Sequence, residues 1–129
     1  MLVDTSAWIE YLHGTGSASN VRVRTYHEHT DELAITDVVV MELLAGVRGD
    51  RSDHRVNAIL NGVTMLPVAV LEDFVHAAEL YRTCRQQGKT IRTMNDCLIA
   101  AVAIRNDVPV LHHDADFDVL ARYTPLRVA

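Results

Sequence analysis

The sequence predicts an α/β protein built on a mainly parallel sheet with helices on both faces. Three observations lead there. Short apolar runs suit buried strands, capped helical segments separate one run from the next, and 129 residues with 49% hydrophobic content suffice for one ordinary core. No repeat, low-complexity tract or linker divides the chain, so residues 1–129 are read as a single domain.

The elements follow in order. Residues 1–3 form a first strand, and Asp4, Thr5 and Ser6 supply capping groups for a helix over 7–12. His13-Gly14-Thr15-Gly16 ends it, and a polar helix covers 17–29. Residues 33–36 form a second strand, and Thr36-Asp37 caps an apolar helix over 38–47 that stops near Gly49. Ser52-Asp53 opens another helix, with Val56, Ile59, Leu60 and Val63 at helical spacing. Residues 65–70, around Pro67, read as a strand or extended edge. A long helix over 71–87 carries Phe74, Val75, Ala78 and Tyr81 on one side and stops at Gly88. Thr93 caps the most apolar helix, which ends at Arg105. A strand over 108–112, a short helix over 114–122 and a strand over 126–128 complete the chain.

Bulk properties narrow the function. The formal net charge of −5 argues against gripping nucleic acid by charge alone. No basic or apolar leader opens the chain, and the apolar run over 97–104 is far too short to span a bilayer, so a cytoplasmic protein without membrane contact is expected. Cys84 and Cys97 lack any CxxC or ligand spacing and read as free thiols of a reducing compartment. Arg supplies all the basic residues except Lys89.

Four acids stand out because each is pressed against an apolar segment: Asp4, Glu42, Asp96 and Asp114. Acids are rarely buried without something positive to compensate them. Each has a plain structural reading. Asp4 could cap the first helix, Asp96 could complete a capping box with Thr93, and Asp114 could form an Asx-turn. Glu42 lies beyond the first turn of a helix that reads as apolar nearly all round, so it needs a partner, either a buried Arg or a metal. Asp4 and Asp114 follow their strands, and Glu42 and Asp96 lie near helix starts, so all four converge on the carboxyl edge of a parallel sheet, where ligands bind. Setting aside these four and Asp116 leaves twelve acids against twelve Lys+Arg, so the negative charge concentrates in one place, where bound cations could reverse it.

The stretches Val3-Asp4-Thr5-Ser6-Ala7, Met41-Glu42-Leu43, Asn95-Asp96-Cys97-Leu98-Ile99-Ala100-Ala101 and His113-Asp114-Ala115-Asp116-Phe117 resemble the PIN-domain ribonucleases, more narrowly the VapC-type toxins of bacterial toxin–antitoxin pairs. The likeness spans the chain in order, spacing and length. It implies a three-layer α/β/α sandwich and Mg²⁺- or Mn²⁺-dependent hydrolysis of RNA phosphodiester bonds. It also implies a cognate antitoxin partner and a homodimer. By this resemblance Asp4, Asp96 and Asp114 are the principal metal carboxylates, Glu42 binds or orients water on the metal, and Asp116 completes a second cation site. Thr5 or Ser6 would support the pocket by hydrogen bonds. Arg92, just before the Asp96 helix, is read from its position as a phosphate contact or a solvated loop residue.

Other readings have their own signatures. A phosphoacceptor receiver domain needs a lysine after a late strand, but Lys89 follows the helix-stopping Gly88. A dehalogenase-type phosphotransferase wants Asp-x-Asp after the first strand, where Asp4 is followed by Thr5 and Ser6. Zinc on His112 and His113 is disfavoured because adjacent strand residues point to opposite sides. A housekeeping RNA-processing PIN nuclease is the alternative within the family.

Overall fold

A computed structural model of the chain describes residues 1–29 and 32–129. Its elements are β1 (Leu2–Val3), α1 (Thr5–His13), α2 (Ala18–His29), β2 (Ala34–Ile35), α3 (Asp37–Ala45), α4 (Asp50–Gly62), β3 (Thr64–Met65), α5 (Glu72–Gln86), α6 (Met94–Arg105), β4 (Val110–Leu111) and α7 (Ala115–Tyr123). Among the described residues the strands form one parallel sheet in the order β3-β2-β1-β4. Leu2 is in register with both Ala34 and Val110. The chain steps from β1 to β2 to β3 in one direction and returns to β4 in the other. Right-handed crossovers therefore set α1–α4 on one face and α5 and α6 on the opposite one. Within these layers α1 packs on α2 and α3, and α5 packs on α6 and α7. The result is the expected α/β/α sandwich.

The core explains why such short strands suffice. Leu2, Val3, Ile35, Val110 and Leu111 are all buried, as a parallel sheet covered on both faces requires. Helix α6 is buried at every position from Asp96 to Ala103, which places it at the centre of the molecule. Gly14, at φ 59, closes α1 in the left-handed conformation, its N–H donating to the carbonyls of Glu10 and Tyr11.

Four expectations are corrected. The side of α5 that carries Phe74, Val75 and Ala78 faces solvent, and the buried side is Asp73, Ala77, Leu80 and Cys84. Helix α3 is not apolar-buried all round: Val38, Val39 and Leu43 are buried, but Met41 and Leu44 are exposed. The strand expected over 65–70 is instead the two-residue β3, Thr64–Met65: Met65 is in register with Ile35, and pairing ends where the Leu66 N–H donates to the Ile35 carbonyl. Beyond it, side chains hold the segment: Asp37 accepts from the Val68 N–H at 2.8 Å, and Arg105 donates to the Pro67 carbonyl at 2.7 Å. The terminal strand over 126–128 is reduced to one parallel bridge between Val110 and Val128.

Candidate metal centre

Two strand-to-helix turns build the centre. The Asp4 N–H donates to the Leu111 carbonyl at 2.9 Å, which joins the ends of β1 and β4. Asp4 then caps α1, its Oδ2 accepting from the Ser6 N–H at 3.0 Å and from the Ser6 hydroxyl. Ser6 Oγ in turn accepts from the His113 N–H at 2.9 Å, so it stitches the β1–α1 turn to the β4–α7 turn. Asp114 caps α7 by accepting from the Asp116 N–H at 3.0 Å. The capping reading of Asp4 and the Asx-turn reading of Asp114 are therefore realised, and these local bonds bring both acids to one edge.

Asp96 behaves differently. Thr93 occupies the cap position of α6 without a side-chain cap bond. Asp96 Oδ2 is buried and, among the described residues, has no hydrogen-bond partner. Oxygens of Asp96, Asp114 and Asp116 lie within 4.8 Å of one another. Burial, reinforced by the charges of Asp4, Asp114, Asp116 and Glu42, pushes the Asp96 carboxyl up to about 7. Burial also raises Asp4, with Asp114 adding to it and hydrogen bonds from Ser6 and Thr5 opposing. Glu42 is half-buried on α3, where burial and then Asp4 raise it, while the Thr5 hydroxyl donating to Oε1 at 3.0 Å holds it down. All five acids are electrostatically coupled through Asp96.

Arg92 is bound where sequence reading expected a phosphate contact or a solvated loop. Its Nη2 donates to Asp114 Oδ1 at 2.6 Å, and its Nε and backbone N–H both donate to Asp116 Oδ2 at 3.0 Å. That fork was not foreseeable from spacing, because the loop over 87–93 sets it. His112 and His113 lie just beyond β4 and diverge: one ring lies 3.3 Å from Asp118, the other 3.1 Å from Glu10. Neither joins the carboxylate trio.

The donor set can be tested against an ion. It consists of carboxylate oxygens, one of them buried and unpartnered, in a cluster that raises its own members' proton affinity. Hard divalent cations prefer such oxygens, and this set fits an ion of that class. A groove of about 370 Å³ opens beside Glu42, with Ile9, Leu12 and Val47 on its walls and Arg48 and Arg55 also lining it. Elsewhere the cysteines stay inert: both are free and buried, and burial pushes the Cys97 thiol up to about 12. His27 packs edge-on against Trp8 and Tyr11.

Comparison with known proteins agrees with this geometry. The PIN domain family matches residues 1–123. Ribonuclease VapC11 of Mycobacterium tuberculosis is 44% identical over 130 residues, spanning 100% of this chain and 97% of that protein. Among solved structures, VapBC2 from Rickettsia felis bound to a promoter DNA fragment matches with a TM-score of 0.78 at 17% identity, covering 99% of this chain and 96% of that one. Mycobacterium tuberculosis VapC20, described as a Sarcin-Ricin loop cleaving toxin, matches with a TM-score of 0.64 at 21% identity, covering 98% of each chain. The gathered carboxylates, the sandwich beneath them and the full-length relatives place this chain in the PIN-domain family, among the VapC ribonucleases.

Proposed function

We propose that this chain is a divalent-cation-dependent endoribonuclease and the toxin of a toxin–antitoxin pair. The observation that carries the reading is Asp96, which has a buried, unpartnered Oδ2 and offers an oxygen within 4.8 Å of oxygens of Asp114 and Asp116. A full-length relative named as a ribonuclease supports the substrate class, and a related fold solved as a VapBC complex supports an antitoxin partner.

Asp96, Asp114 and Asp116 would hold the ion, with Asp4 adding negative charge beside them. Mg²⁺ or Mn²⁺, when bound, supplies charge neutralisation at the phosphodiester and a more acidic water. Glu42, fixed by Thr5, stands at the groove side of the cluster, where a carboxylate can orient water and accept its proton. Ser6 keeps Asp4 and the His113 backbone in place, so it positions the pocket. Arg48 and Arg55 line the groove and can meet RNA phosphates.

Incubation of the purified chain with structured RNA tests the reading. Cleavage with Mg²⁺ or Mn²⁺, abolished by chelation and cut by roughly 10²–10³-fold in Asp96→Asn, is expected. Parental cleavage by Asp96→Asn would overturn the site. A housekeeping nuclease would cut without growth arrest on induction and would lack a neighbouring short antitoxin frame. The receiver alternative needs a lysine at the carboxylates, but Lys89, the only one, is exposed beyond α5. The homodimer belongs to this reading and is tested by sedimentation. No helix among the described residues is long and apolar enough to cross a membrane, and a cytoplasmic location is part of the proposal.

A further inference from the structure

The metal-site reading leaves one cation unexplained. Arg92 is a built-in positive charge seated on two of the three clustered carboxylates. We propose that Arg92 is an exchangeable counter-cation: it holds Asp114 and Asp116 while no ion is bound, and a divalent ion displaces its side chain from these two carboxylates. This inference rests on the metal-site reading.

The geometry is that of a placeholder. One guanidinium spans both acids, through Nη2 to Asp114 Oδ1 and through Nε to Asp116 Oδ2. It does not reach Asp96, whose Oδ2 stays unpartnered among the described residues. A fork of N–H donors can quiet two neighbouring carboxylates, but it offers nothing to a third oxygen beyond its reach. A point-like cation among the three oxygens would serve them all. The guanidinium and the ion would compete for Asp114 and Asp116, so each weakens the other's hold.

The attachment also suits release. The Arg92 side chain is 68% exposed, so its ion pairs are screened and can open. The Arg92 backbone N–H donates separately to Asp116 Oδ2 at 3.0 Å. That main-chain bond keeps the loop at the cluster when the side chain leaves. The freed guanidinium, tethered at the rim, is then placed to meet an incoming phosphate. The phosphate contact expected from sequence and the carboxylate fork seen here become two states of one residue.

The experiment titrates the metal-free full-length chain with Mn²⁺, following free Mn²⁺ by EPR and stability by thermal melting. The parent, Arg92→Gln and Arg92→Lys are compared, with circular dichroism confirming that each is folded. Arg92→Gln is expected to bind Mn²⁺ roughly two- to fivefold more tightly, the range set by loss of a screened charge pair. Its metal-free Tm should fall while its Mn²⁺-induced Tm rise grows. Arg92→Lys keeps the charge but loses the fork, so it should show part of the gain. Arg92→Gln binding equal to or weaker than the parent overturns the inference. So does an Arg92→Lys titration that coincides with the parent, since long-range charge alone would then explain the glutamine variant. A parent that takes up no Mn²⁺ overturns the metal-site reading and this inference together.

Discussion

Two buried aspartates in this molecule solve the same physical problem in opposite ways. Asp73, on α5, is 1% exposed and fully answered: Arg105 donates to both of its oxygens, and the Ala69 N–H donates at 2.7 Å. Burial would push its carboxyl up, but the Arg105 and Ala69 hydrogen bonds prevail and hold it below the usual range. Asp96, on α6, is 8% exposed and left with an orphaned oxygen among like charges, which pushes it up to about 7. The fold can supply an internal cation to a buried acid, and it does so at Asp73. Leaving Asp96 unanswered reserves that place for something from outside.

The sharpest separation is by activity. Asp96→Asn should cut RNA cleavage by roughly 10²–10³-fold, because it removes a carboxylate from charge neutralisation at the phosphate. Arg105→Met should leave cleavage at 25 °C within about twofold of the parent. A fluorescent RNA substrate reads both. Equal losses in the two variants would erase the distinction between a functional and a structural acid.

Stability should move in opposite directions. Arg105→Met strands the Asp73 charge and should cost roughly 2–4 kcal/mol. Asp96→Asn relieves repulsion and should stabilise the metal-free chain by on the order of 2 kcal/mol at pH 8. Urea unfolding of metal-free protein measures each. A destabilised Asp96→Asn would mean that its carboxylate is a structural element.

The pH dependence follows from the same contrast. Asp96 has a folded pKa raised above its unfolded value, so the native state holds a proton the unfolded chain has released. Metal-free stability therefore falls as pH rises from about 4 through about 7, and is lowest above it. Asp73 has a lowered folded pKa, so its contribution is present above about 4 and is lost only as pH falls through the lowered value. Melting curves of metal-free protein from pH 5 to 8 should descend, and Asp96→Asn should flatten that limb. A parent curve that rises over this range contradicts the assignment.

The smallest effect concerns Glu42. Thr5→Val removes the hydroxyl donating to it, a bond worth about 1 kcal/mol, and should slow cleavage roughly three- to tenfold. Initial rates at saturating Mn²⁺ test this, and an unchanged rate would show that Glu42 orients itself.

The contrast also explains what could be read from sequence. The runs over 1–3 and 108–112 do supply sheet strands, trimmed to Leu2–Val3 and Val110–Leu111, because apolar stretches between capped helices have few other places to go. Convergence of Asp4 and Asp114 was legible for the same reason, since each follows a strand at the carboxyl edge. Asp73 was invisible: Leu71-Glu72-Asp73-Phe74 reads as an acidic first turn, and its partner Arg105 lies 32 residues away. The same acidic turn hid the true inner face of α5, because its apolar residues at 74 and 75 pulled the reading to the solvent side. The Arg92 fork was equally hidden, as loop conformation has no periodic signature.

The most direct test is calorimetric titration of the metal-free chain with Mn²⁺ near pH 7, in two buffers of different ionisation enthalpy. A reserved cation site predicts binding accompanied by proton release from the carboxylate cluster, with both signals lost in Asp96→Asn. A flat titration of the parent, or an Asp96→Asn variant that binds just as tightly, would contradict it.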